Sequence, residues 1–152
     1  MSKLGFLVAV SVVSLGAAVG AWYYKYQLYG WLPSTASSEL KNVDGLLMDK
    51  EGKPFTGRVK DISDSGYSLY AYKDGKLDGL NVVFSEGQLR EIGHWENGEQ
   101  NGLFEAWTDK GVLVDHGIFK DGERDGETVQ YWPDTGKLKV KALYRAGKLN
   151  GL

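Results

Sequence analysis

Glycine recurs through most of this chain with a drifting period, and that repetition constrains the fold more than any other feature. Gly75, Gly98, Gly122 and Gly147 are spaced 23, 24 and 25 residues apart, and Gly79, Gly102, Gly126 and Gly151 repeat the same spacings. Gly87, Gly111 and Gly136 form a third series, and Gly93 and Gly117 a fourth, with Ala142 in the matching place. A shorter first copy carries Gly52, Gly57 and Gly66. Aligned, the copies read GKPFTGRVKDISDSG, GKLDGLNVVFSEG, GEQNGLFEAWTDKG and GERDGETVQYWPDTG, with GKLNGL as a final fragment. Such a period marks a repeat architecture, in which each unit buries its apolar side chains only against its neighbours.

Each copy reads as two strands. Five places after the second glycine lies Ile62, Phe84, Trp107 or Tyr131, and a turn with glycine last follows. The return strand carries Leu89, Leu113 or Leu138. Four places on comes Gly93, Gly117 or Ala142, and two further comes Trp95, Phe119 or Tyr144. Even offsets lie on one strand face, so the leucine, the small residue and the aromatic are expected to share it. The missing side chain at the small position leaves a hollow for a ring from the adjoining strand, which is a packing reason for glycine. Between copies run the connections Asp74-Gly75 to Asp78-Gly79, Asn97-Gly98 to Asn101-Gly102, and Asp121-Gly122 to Asp125-Gly126. Asn-Gly and Asp-Gly tolerate positive φ and so favour tight turns. The prediction is all-β, an antiparallel meander of roughly nine or ten short strands in one twisted sheet that curls on itself.

The pattern W/Y-x-N/D-G-x-x-N/D-G-L-x-x-x-aromatic-x-x-x-G-x-L resembles the bacterial variant of the MORN repeat, from about Leu47 to the C-terminus. LLMDKEGKPFTG resembles the usual opening of such domains. The resemblance implies a non-enzymatic sheet that binds proteins or, as proposed for eukaryotic relatives, lipid headgroups. Chains of this kind are often labelled antitoxin components. Glu127 stands where leucine is usual, Ala142 where glycine is, and the first copy is two residues short. These departures weaken individual copies and leave the pattern intact.

Ahead of the repeats, Leu4–Tyr24 runs for 21 residues without a charge, flanked by Lys3 and Lys25. A helix of that length spans roughly 30 Å, the thickness of a bilayer core. Trp22, Tyr23, Tyr24, Tyr26, Tyr29 and Trp31 follow as an interfacial aromatic belt. A cleaved signal peptide ending at Ala21 is the competing reading, but the apolar run is too long for an h-region and a signal peptide has no use for such a belt. The expected organisation is therefore a transmembrane anchor over residues 1–32, a polar tether over 33–40 and a repeat domain over 41–152. The slight excess of positive charge before the span favours an outward-facing domain.

The chemistry-bearing candidates are few. The Asp-Gly loops lack the alternating acids and distal glutamate of a calcium loop, and strands flank them where a phosphate cradle needs a helix. His94 and His116 occupy different repeat positions and are not expected to be a metal pair. The absence of cysteine removes thiolate ligands and thiol nucleophiles, and no Ser-His-Asp arrangement can be argued. Neither an enzyme nor a cofactor is expected. With a net charge of -2 there is no overall basic field for nucleic acid, and no small-molecule substrate is expected.

Repeat-fixed aromatics such as Phe84, Trp95, Trp107, Phe119, Tyr131 and Tyr144 are expected in the core. Trp132 lies one step past the register of Tyr131 and is expected on the opposite, more exposed side. Trp132, Tyr131 and Trp107 are candidate partner-binding residues. Lys137, Lys139 and Lys141 alternate in a stretch from Gly136 to Leu152 that has no acid. They either discourage edge-to-edge strand pairing or contact an acidic partner or anionic lipid. The expected role is a membrane-anchored scaffold that binds membrane or envelope proteins as an accessory subunit, with its domain on the periplasmic side of a bacterial inner membrane and the cytoplasmic side left open. The alternatives are an immunity or antitoxin protein and an anionic-lipid headgroup binder.

Overall fold

A computed structural model of the chain describes residues 32–151. The apolar run Leu4–Tyr24 and its aromatic belt lie outside the described residues. Within these, no helix is long and apolar enough to cross a membrane.

The described strands are β1 (Thr35–Ala36), β2 (Lys41–Val43), β3 (Leu46–Met48), β4 (Gly57–Ser63), β5 (Gly66–Lys73), β6 (Lys76–Leu77) and β7 (Gly79–Ser85). They continue as β8 (Gln88–Glu96), β9 (Glu99–Trp107), β10 (Leu113–Lys120), β11 (Glu123–Tyr131), β12 (Leu138–Arg145) and β13 (Lys148–Gly151). An 11-stranded sheet has the order β1-β4-β5-β7-β8-β9-β10-β11-β12-β13, with β6 paired to β5; β2 and β3 form a separate hairpin. The meander is antiparallel except where β1 pairs with β4 in parallel. The sheet is open, because its terminal strands do not pair with each other. The expected tether partly joins it. Thr35 and Ala36 pair with Val59 and Lys60, and Ser37 Oγ donates to Asp61 Oδ1 at 2.8 Å. The C-terminal fragment pairs with β12 as β13.

The doubled Asp/Asn-Gly connections divide into two functions. The first dipeptide is the turn: Asp121 and Gly122 have φ of +50° and +79°, and Asn97 and Gly98 of +52° and +92°. Positive φ at both central residues is the geometry that matches the twist of a two-residue hairpin. The second dipeptide is not a turn. Gly126 has φ +135° and a Cβ there would lie 3.1 Å from Ile118 Cβ. It sits where Gly117 pairs with Thr128 but Phe119 pairs with Arg124, a bulge that gives β11 two extra residues. Gly102 holds the same place in β9.

A second irregularity recurs in the β7–β8, β9–β10 and β11–β12 hairpins, though not in β4–β5, and overturns an expectation about faces. Phe84 pairs with Leu89 while Val83 pairs with Glu91, so Arg90 is an extra residue. Trp107 pairs with Leu113 while Ala106 pairs with Asp115, and Tyr131 pairs with Leu138 while Gln130 pairs with Val140. One inserted residue inverts the side-chain alternation beyond it. Leu89, Leu113 and Leu138 therefore share the face of Phe84, Trp107 and Tyr131. The small residues and the aromatics that follow them lie on the other face.

The core occupies the first of these faces. Leu69, Val82, Phe84 and Ile92 are buried at 1%, 1%, 3% and 0% exposure, and Tyr67, Leu80, Leu89, Leu103 and Trp107 pack against them. Burying side chains of this size contributes about 1.5–3 kcal/mol each. Tyr67 stacks on Phe84 with centroids 5.1 Å apart. The equivalence of the copies breaks at Ile62, the counterpart of Phe84, which is 75% exposed. It lies on β4, near the sheet end, where β1 covers only Val59 and Lys60.

Candidate binding surface

The Asp-Gly loops that first suggest an ion site are occupied by the fold itself. The Gly98 N–H donates to Leu77 O at 2.8 Å, Gly122 N–H to Gln100 O at 3.0 Å and Gly147 N–H to Arg124 O at 2.9 Å. Each turn glycine thus binds the carbonyl two residues beyond the preceding turn glycine, and the turns are linked copy to copy. No group of three or more potential metal ligands occurs among the described residues.

Both histidines have partners within the sheet. The His94 Nδ1–H donates to Leu103 O at 3.3 Å, and His116 Nδ1 lies 2.9 Å from Glu105 Oε1. The second pair belongs to a continuous cross-strand row of Leu69, Val82, Ile92, Glu105, His116, Val129 and Lys141. The row is apolar through β8 and mostly ionisable from β9 onward. Beside it, Glu127 Oε2 accepts from Lys141 Nζ at 2.9 Å. That hydrogen bond, with the attraction of the carboxylate, holds the Lys141 ammonium above the usual lysine range.

The opposite face carries a polar cluster that sequence reasoning missed. Arg124 Nη2 donates to Asp115 Oδ2 at 2.7 Å and Arg124 Nη1 to Thr128 Oγ1 at 3.1 Å. Gln130 Nε2 donates to the same Asp115 oxygen at 3.1 Å, while Asp115 Oδ1 is buried without a protein donor. The guanidinium also lies 4.8 Å from the Phe119 ring centroid. Its contacts explain Gly117, where a Cβ would collide with the guanidinium. At Gly93 the hollow is filled as expected, by Trp95 and by Phe104 of the adjoining strand. At Gly117 the filler is an arginine. The signal was Arg124 itself, a long cation in the connection GERDG where the other copies have Leu77 and Gln100.

The candidate partner-binding residues divide into two places. Trp107 packs on the hydrophobic core in β9, two strands from Tyr131 and three from the lysines of β12. Trp132, Tyr131 and the lysines all belong to the β11–β12 hairpin and its loop. Trp132 is 48% exposed and Lys139 Nζ lies 4.8 Å from its ring centroid. Its backbone is held at both ends: Trp132 N–H donates to Lys137 O at 2.8 Å, and Gly136 N–H donates to Trp132 O at 2.7 Å. In neighbouring copies the position is Thr108 or Ser85, and Thr108 Oγ1 accepts from Val112 N–H at 3.1 Å. A ring has replaced a turn-forming hydroxyl.

The three lysines do not form the expected one-faced stripe of a single strand. Lys137 is in the loop before β12, Lys139 is the inserted bulge residue, and only Lys141 keeps the regular alternation opposite Val129. No family model matches the chain, and no curated protein matches it in sequence.

Proposed function

We propose that this chain is a non-enzymatic, membrane-anchored scaffold whose MORN-like sheet binds a protein partner, as an accessory subunit of a membrane or envelope complex. The observation that carries this reading is Trp132, a large aromatic exposed at a hairpin whose backbone and cation contact hold it in place. Rigid exposed tryptophans lose little entropy on association and are enriched among residues that dominate binding energy. The uncharged Leu4–Tyr24 run supports membrane attachment, and the resemblance of the repeats to MORN sheets supports a binding role. A lipid-headgroup role for the lysines draws less support, because Lys141 is engaged by Glu127 and Lys139 by Trp132.

The test is a detergent pull-down of the full chain from native membranes, read by mass spectrometry. A defined partner should co-purify, and Trp132→Ala should reduce its recovery roughly tenfold or more with the melting temperature unchanged. Deletion of Leu4–Tyr24 should release the chain from the membrane. Recovery of no partner sinks the proposal.

A further inference from the structure

Two neighbouring copies hold the same arrangement on one face of the sheet, but only the later one contains its cation. Along β10, Asp115, Gly117 and Phe119 alternate on one face, and Arg124 of β11 pairs with Phe119. Along β8, Glu91, Gly93 and Trp95 stand in the same order, and Gln100 of β9 pairs with Trp95. A register shift falls between the glycine and the aromatic in both pairings. The two sets share a face, since Glu91 pairs with Ala106 and Ala106 with Asp115. Glu91 is therefore the counterpart of Asp115, Trp95 of Phe119 and Gln100 of Arg124.

In the later copy the guanidinium lies 4.8 Å from the Phe119 ring centroid and donates to Asp115 at 2.7 Å. In the earlier copy the carboxylate and the ring are both present, and no basic side chain joins them. Glu91 is exposed and has no hydrogen bond or ion pair among the described residues, not even with Arg90 beside it in the bulge. Desolvation pushes its carboxyl above the usual glutamate range, an effect that a bound cation opposes. Trp95 leans over Gly93, its Nε1 3.3 Å from where a Cβ would lie, which brings the indole toward Glu91. Gln100 Nε2 lies 3.6 Å from the same point. The amide thus reaches the place that Arg124 Nη1 takes over Gly117, but it carries no charge.

We propose that Glu91 and Trp95 bind the arginine side chain of a partner protein, with the guanidinium on the indole and its N–H groups donating to the carboxylate. This deepens the protein-binding reading above and rests on it. Arginine is selected over lysine because a planar guanidinium stacks on a ring while still donating in its own plane. Arg124 does both within this chain. Tryptophan is also a stronger ring for a cation than the phenylalanine of the later copy.

The probe is N-acetylarginine methylamide, titrated into the full chain in detergent and followed by NMR at the Trp95 indole N–H. A saturable shift is expected. Glu91→Gln should weaken binding roughly tenfold, and N-acetyllysine methylamide, of equal charge, should bind more weakly than the arginine probe. Gln100→Arg should fill the site from within, abolishing probe binding and lowering the pH at which Glu91 titrates. Absence of a saturable shift overturns the proposal, as does equal binding by the Glu91→Gln protein or by the lysine probe. Unchanged probe binding by a folded Gln100→Arg protein overturns it too. A native partner lost on Trp132→Ala but recovered in full by Glu91→Gln also overturns it and spares the scaffold reading. Probe binding without any native partner upholds the site and sinks the scaffold reading.

Discussion

Strands β5, β7 and β8 place Leu69, Val82 and Ile92 in one cross-strand row, buried at 1%, 1% and 0% exposure. Strands β9 to β12 continue the row with Glu105, His116, Val129 and Lys141. The two stretches share Asp/Asn-Gly turns between copies and a one-residue bulge in the β7–β8, β9–β10 and β11–β12 hairpins. What differs is the content. The N-terminal half concentrates apolar burial, and the C-terminal half puts hydrogen-bonded polar groups in equivalent places. A repeat can separate these tasks because each copy contacts chiefly its neighbours. Stability gathered in one stretch of the sheet leaves another free to vary.

Substitutions test that division directly. The largest expected effect is Ile92→Ala, which should cost about 3 kcal/mol in denaturant unfolding because the site is fully enclosed. Val129→Ala, in the same row of the C-terminal half, should cost no more than about 1–2 kcal/mol. Equal losses would break the comparison.

Next in size is Arg124→Ala, expected to cost about 2 kcal/mol because it leaves Asp115 partly buried and without its cation. Asp115→Asn in the Arg124→Ala background should recover part of the loss in a double-mutant cycle. Additive losses would mean that the pair contributes nothing as a pair.

Gly122→Ala should cost about 1 kcal/mol, since no atom stands near the added methyl and only the left-handed backbone opposes it. A much larger loss would show that the turn-to-turn linkage carries more of the fold than the core does.

The smallest effect is a pH-dependent one at Glu91, an exposed side chain whose carboxyl is pushed above the usual glutamate range by partial desolvation against the sheet. The native state then holds this proton more tightly than the unfolded chain does. The stabilisation is fully present below the ordinary glutamate range and is lost as pH rises through the raised value. Because the residue still reaches solvent, Glu91→Gln should raise stability at neutral pH by no more than about 0.5 kcal/mol. The gain should vanish in acid, as thermal melts across pH will show.

Periodicity in glycine, with Asn-Gly and Asp-Gly pairs at fixed offsets, was enough to predict an antiparallel meander of hairpins, because positive φ at consecutive residues leaves the chain few alternatives to a tight turn. The exposure of Trp132 was legible from its single-step offset against Tyr131, and the small residue at Gly93 from the ring it accommodates. Three matters were decided only by tertiary structure. Arg90, Val114 and Lys139 look like ordinary strand positions, yet each is a bulge residue that sends the preceding leucine to the opposite face, because strand register depends on the partner strand. Lys137, Lys139 and Lys141 alternate in sequence, but a loop and a bulge separate them in space. Arg124 and Asp115 lie nine residues apart across a turn, and their meeting over Gly117 follows from the register of β10 against β11. Local backbone preferences therefore determined which elements form, while side-chain facing and polar pairing waited on how adjacent strands align.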